Sequence, residues 1–196
     1  MLKDILINII VIMIEKIFTG ILISIFVLIK LTYRRNQTTR FGAPFVPLEP
    51  DVVERVLNLT GVKKGDIFYD LGSGDGRLVI AAALRGAVAY GIEIDPIRAI
   101  YSKIWIFLFR LRGQATIIQK NIFDVDLSKA DVITAYLLQE TNNLLVEKLS
   151  REGKPGARIM GIAFYFPGWK PSAIDHRGPI YGPLYLYQIP KKKARK

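Results

Sequence analysis

The chain contains no cysteine and a single histidine, His176. The first absence excludes disulfides, thiolate zinc sites and cysteine nucleophiles, while leaving the compartment open. The second excludes a histidine-built metal centre, and no nucleophile signature surrounds His176 to suggest a Ser-His-Asp triad. His176 is therefore expected on a loop or the surface, and no metal site is expected. Carboxylates are also scarce: 17 Asp and Glu stand against 28 Lys and Arg, a formal net charge of +11. Much of that surplus lies in two clusters. One is Lys30, Arg34, Arg35 and Arg40; the other is the tail Lys191, Lys192, Lys193, Arg195 and Lys196. Basic clusters suit anionic lipid, nucleic acid or an acidic partner. The first cluster directly follows a hydrophobic stretch, which favours a membrane over nucleic acid.

What is present begins with that stretch. Residues 5–29 are almost wholly apolar. As a helix they would be about 37 Å long, enough to cross a hydrocarbon core of about 30 Å with some tilt. Glu15 and Lys16 fall near its middle, each at a cost on the order of 2.5–3.5 kcal/mol at the bilayer centre. The surrounding Ile, Leu, Phe and Val side chains can offset that cost. A single transmembrane helix is expected, with an interfacial helix and a helix buried in an oligomer as alternatives. Positive residues flanking a span stay in the cytoplasm, or on the matrix side in a mitochondrion. The expected organisation is a membrane anchor over 1–31, a basic and Pro-rich linker over 32–50, one catalytic domain over 51–190 and a basic tail over 191–196.

Pro44, Pro47 and Pro50 oppose helix and predict an extended segment. Asp51 can cap a helix over 52–59. Beyond it the pattern alternates. Strands are predicted at Ile67–Leu71, Val88–Ile92, Thr116–Gln119, Val132–Tyr136, Arg158–Phe164 and Leu184–Ile189. Helices are predicted at Arg77–Leu84, Pro96–Leu111 and Glu140–Leu149. This is an α/β pattern and implies a Rossmann-like, doubly wound, mostly parallel sheet.

The strongest motif is Asp70-Leu-Gly72-Ser73-Gly74-Asp-Gly76, between a predicted strand and a predicted helix. Its glycines allow a sharp turn and close approach to a ligand. The acidic residue at the strand end separates it from the pyrophosphate-binding fingerprint. A ligand with sulfonium and ammonium charges and no phosphate, S-adenosylmethionine, suits such a carboxylate. Glu93 ends the next strand, 23 residues after Asp70, where an acidic side chain is placed to bind ribose hydroxyls. After the third strand, Asn121 and Asp124 both fit as partners for an adenine amino group, with Asn121 better placed. Phe123 or Ile122 can cover the ring. Tyr136, at the end of the fourth strand, faces the expected position of a methyl acceptor or else belongs to the core or rim.

These elements resemble the class I, seven-stranded S-adenosylmethionine-dependent methyltransferases over residues 45–190. The Gly42-Ala-Pro-Phe-Val-Pro47 segment and the Phe164-Tyr-Phe-Pro167-Gly-Trp169-Lys-Pro171 segment sharpen the likeness. With them the chain is similar to the small protein-lysine methyltransferases of archaea and mitochondria, whose mitochondrial members modify the c-ring protein of ATP synthase and the adenine nucleotide translocase. The resemblance implies S-adenosylmethionine as cofactor and a protein substrate with an accessible lysine. For a lysine acceptor, Phe45, Tyr136, Phe166 and Trp169 are candidate channel walls, with Phe45 and Trp169 facing each other across it. Filling the core is the competing role for that pair. A lipid or quinone headgroup as acceptor and a non-catalytic scaffold are the alternative functions.

Overall fold

A computed structural model describes residues 43–177 and 181–190, together with helical residues 10, 12–21, 23, 24 and 27. The chain divides into two compact units, residues 1–38 and residues 39–196. In the first, the described residues are helical and expose Ile12, Ile14, Ile17, Phe18 and Ile21. Among the described residues no helix is long and apolar enough to cross a membrane. Part of the 5–29 run lies outside them, as do the basic cluster from Lys30 to Arg40 and the tail from Lys191.

Among the described residues the second unit begins with a segment over 43–49 that has no regular secondary structure, followed by helix α1 (Pro50–Thr60). Pro50 stands in the first turn, where its missing N–H costs nothing. Glu49 rather than Asp51 occupies the N-cap and makes no side-chain cap bond; Asp51 lies in the first turn. Gly61 ends the helix in the left-handed conformation, φ 58°, which a glycine adopts without strain.

There follow β1 (Ile67–Leu71), α2 (Arg77–Leu84), β2 (Val88–Ile92), α3 (Pro96–Leu108), β3 (Ala115–Ile118), a short 3-10 turn (Ile122–Asp124), β4 (Val132–Ala135), α4 (Gln139–Glu152), β5 (Arg158–Ile162), β6 (Ala173–Asp175) and β7 (Leu184–Gln188). The seven strands form one sheet in the order β3-β2-β1-β4-β5-β7-β6. Neighbours from β3 to β5 run parallel. β7 is antiparallel to both β5 and β6, so the expected doubly wound sheet carries one reversed strand. β6 has three residues, too few for a period to show in sequence.

The strands alternate between two cores. Phe68 joins the layer built with α1, α2 and α3. Tyr69 and Leu71 join the layer that contains Leu145 and Leu149 of α4 and the buried rings of Phe166 and Tyr187. Central β1 pairs with β2 on one side and β4 on the other. The chain order reverses there, and the crevice outside the carboxyl ends of such strands is where open α/β sheets bind ligands.

Candidate active site

The loop after β1 is fastened on three sides. The Gly72 and Ser73 N–H groups both donate to the Ile92 carbonyl at the end of β2, at 2.9 and 3.0 Å. Ser102 of α3 donates its hydroxyl to the Gly74 carbonyl at 2.8 Å. The Gly74 N–H donates to Glu93 Oε2 at 2.7 Å. Gly74 has φ 56°, and a Cβ there would lie 2.5 Å from Cε2 of Phe45. Glycine is thus required twice over, by the backbone and by the aromatic ring above it. On the other side, Gly91 leaves room for Ser73, since a Cβ on Gly91 would come within 2.6 Å of Ser73 Oγ. Gly76 supplies the N-cap of α2 at φ 79°.

Two carboxylates stand at this crevice, both buried. Asp70 accepts the Thr134 hydroxyl at 2.6 Å. Burial pushes its pKa up to about 7; Glu93 and Asp75 add to the rise, against the lowering effect of the Thr134 bond. Glu93 accepts from Gly74 through one oxygen and from the Asp95 N–H through the other, the latter at 2.9 Å. Its pKa is raised too, by burial first, although both backbone bonds and Arg98 oppose the rise. Glu93 therefore shapes the glycine loop as well as facing the crevice.

A cavity of about 280 Å³ opens over these groups. Asp70, Gly72, Ser73, Gly74, Glu93, Asn121, Phe123, Phe45 and Tyr136 all line it. Gly76 acts one step behind, turning the chain into α2. Asn121 caps the 3-10 turn by accepting the Phe123 N–H at 3.1 Å. The segment 43–48 forms one wall; Arg77, itself paired with Asp75, holds it by donating to the Leu48 carbonyl. Tyr136 and Thr141 mark the β4–α4 end of the cavity.

Trp169 and Phe166 do not line this cavity. Phe166 is fully buried, and Trp169 packs on it at 5.8 Å between ring centroids and on Tyr187 at 5.9 Å. Phe45 lies instead against the glycine loop, with Arg98 over its ring at 5.2 Å. The structure therefore does not bring Phe45 and Trp169 together at this cavity: Trp169 packs, partly buried, on the β5–β7 core. Sequence reasoning also passed over Thr134, Ser102 and Arg98. Each is buried and acts on the site across a strand pair or from a helix, an adjacency that leaves no local pattern in the sequence. His176 is exposed just after β6.

Comparison with known proteins gives this geometry a lineage. Residues 70–173 match the profile of the ANTKMT methyltransferase domain. The protein-lysine N-methyltransferase of Saccharolobus islandicus is 39% identical over 154 residues, covering 76% of this chain and 96% of that protein. The chain belongs to the ANTKMT methyltransferase family. The adenine nucleotide translocase lysine N-methyltransferase of Mus musculus is 31% identical over 147 residues, 74% of this chain, which spans 63% of that longer relative. Among solved structures, an RNA methyltransferase from Salinibacter ruber in complex with S-adenosyl-L-homocysteine superposes with a TM-score of 0.71 and 35% identity, covering 77% of this chain and 98% of that one.

The methyl donor of this family member is S-adenosylmethionine, and the residues present fit it. An aspartate poised near neutrality gains from a cationic ligand. Ser73 Oγ is buried with no hydrogen-bond partner among the described residues. The glycine loop leaves space where any side chain would collide with Phe45 or, at Gly72, with Leu137 at 2.7 Å. Asp70, Ser73, Gly74, Glu93, Asn121 and Phe123 would hold the donor.

Proposed function

We propose that this protein methylates lysine side chains of other proteins, held at a membrane by residues 5–29 with its catalytic unit on the cytoplasmic or matrix side. The observation that carries the lysine reading is the 39% identity to a protein-lysine N-methyltransferase over 96% of that enzyme's length, joined to a cavity that spans from the glycine loop to Tyr136. The hydrophobic run and the basic cluster after it support the membrane reading.

S-adenosylmethionine supplies a methyl group already activated by a positively charged sulfur. The protein's task is therefore alignment, bringing reacting atoms to about 3–3.5 Å. Asp70 and Glu93 fix the donor end of the cavity. Tyr136 lines the same cavity from the end of β4, half-buried, and burial raises its own pKa; its phenol therefore stays protonated and neutral at physiological pH. A lysine amine has a free pKa of about 10.4 and must arrive unprotonated. Desolvation beside Tyr136 and Leu137 favours the neutral amine. The carboxylates of the cavity are engaged elsewhere, Asp75 by Arg77, Glu93 by two backbone N–H groups and Asp70 by Thr134. Glu140 is exposed on the first turn of α4. Loss of the proton to solvent as the amine enters is the route that this arrangement supports.

The name of the Salinibacter ruber relative and the net charge of +11 supply a reason to weigh RNA. A single assay separates the acceptors. Purified chain is incubated with methyl-labelled S-adenosylmethionine and with membranes containing protein, lipid and RNA, and the fractions are then separated. Label in protein, recovered as methyl-lysine after hydrolysis, is expected. Label recovered in lipid or RNA, with none in protein, would overturn the lysine reading.

A further inference from the structure

Helix α3 departs from the pattern of a surface helix, which turns apolar residues inward and polar ones to water. Arg98, Ala99, Ser102 and Ile106 are buried. On its outer side stand Ile100, Ile104, Phe107 and Leu108, all 40–58% exposed, followed by exposed Phe109. At 3.6 residues per turn the first four form one continuous stripe. A helix that is apolar on both faces normally has both faces covered.

The charge around the stripe says what kind of surface covers it. From Pro96 to Phe123 the chain carries Arg98, Lys103, Arg110, Arg112 and Lys120 and no carboxylate. Lys103, Arg110 and Arg112 are exposed, and the Arg112 guanidinium lies 4.3 Å from the centroid of the Phe107 ring. The cations therefore border the apolar stripe directly. Side chains of this kind, aliphatic and aromatic in the middle and basic at the rim, match the boundary between acyl chains and headgroups in a bilayer containing anionic lipid. A second copy packed stripe to stripe would bring the same cations against each other, a like-charge contact that costs affinity. We infer that the outer face of α3 docks on an anionic bilayer surface, with Ile100, Ile104, Phe107 and Leu108 entering the interface and Lys103, Arg110 and Arg112 meeting lipid phosphates. This contact belongs to the folded catalytic unit and does not depend on whether residues 5–29 span the membrane.

The absence of cysteine makes the test direct. The full chain carrying Ile104→Cys is labelled with an environment-sensitive fluorophore, and Glu147→Cys on the exposed side of α4 serves as control. Leu108→Cys, at a more exposed position, repeats the measurement if Ile104→Cys does not bind S-adenosylmethionine. Vesicles of phosphatidylcholine and phosphatidylglycerol in equal parts are compared with phosphatidylcholine alone. The expected result is a blue shift and severalfold rise in emission at position 104 with the anionic vesicles, none at position 147, and loss of most of the rise when Lys103, Arg110 and Arg112 are all changed to Gln. Three outcomes would overturn the inference. One is an unchanged label at 104 while the chain sediments with vesicles. Another is an equal response to phosphatidylcholine alone. The third is a label already shielded without vesicles, whether in a dimer seen by sedimentation or beneath the chain's own N-terminal segment.

Discussion

Asp70 concentrates the chemistry of the site in one titration. Its ordinary value of 3.8 is lifted to about 7, chiefly by burial. Between those two values the folded chain keeps a proton that the unfolded chain has released. The folded state then binds more protons, so this residue's contribution to stability falls as pH rises through that window. Its full size is on the order of 4 kcal/mol as an upper figure. In the ligand-free protein, Asp70→Asn should therefore melt higher than wild type at about pH 8, with the gain shrinking toward about pH 4, as differential scanning calorimetry would record. Binding of a cation reverses the preference and favours the ionised form. Wild-type affinity for S-adenosylmethionine should rise from about pH 6 to about pH 8 and level off, while Asp70→Asn binds weakly with most of that slope gone. A mutant that keeps the full slope would move the titration to another group, Glu93 first. Asp70, Glu93 and the three loop glycines were legible because they are close in sequence and their spacing repeats a known physical solution. Thr134, Gly91 and Ser102 were not, since each meets the loop across a strand pair or from a helix, and adjacency of that kind leaves no local pattern.

Among the elements, the joint between α1 and β5 is the one most dependent on a single side chain. Arg158 donates to the Thr60 and Gly61 carbonyls, both at 2.7 Å, and pairs with Asp66 at 2.6 Å. It thereby satisfies carbonyls that the helix end leaves without intrahelical partners. Arg158→Ala should lower stability by about 1.5–3 kcal/mol, the range for hydrogen bonds to a charged group, and leave S-adenosylmethionine affinity little changed, because the joint lies at the opposite end of the strands from the cavity. Chemical denaturation paired with calorimetry would separate the two effects. Strand and helix order was readable from alternation of period, and β1, α2 and β2 fall where the residues predict. The end of α3 was not: Leu111 is in apolar register, yet Arg110 turns to φ 57° and the Leu111 N–H closes on the Ile106 carbonyl. Glycine usually marks such a stop, and none stands there. The placement of Trp169 was illegible for a different reason. An aromatic next to prolines signals a fixed loop, but which of two cores it faces is decided by Tyr187, a partner on a strand distant in sequence.

At the scale of the whole molecule, the division at residue 38 separates a short apolar segment from the unit that holds every residue of the cavity. The two parts make different demands on a membrane. A span of the length of residues 5–29 gives attachment that salt and high pH do not reverse, because the apolar area is buried in hydrocarbon. The face of α3 gives attachment that depends on phosphate contacts and weakens with ionic strength. The full chain expressed in cells should therefore stay in the membrane pellet through an alkaline carbonate wash. A chain lacking residues 1–38 should bind S-adenosylmethionine with unchanged affinity and sediment with phosphatidylglycerol vesicles at low salt. It should leave them when salt approaches about 1 M, where the screening length falls to about 3 Å. If the full chain washes off in carbonate, residues 5–29 do not span, and α3 with its basic rim becomes the main hold on the bilayer. If the shortened chain stays on the vesicles at high salt, burial of the apolar stripe outweighs the cations, and Phe107→Ser should then release it where the change of Lys103 to Gln does not.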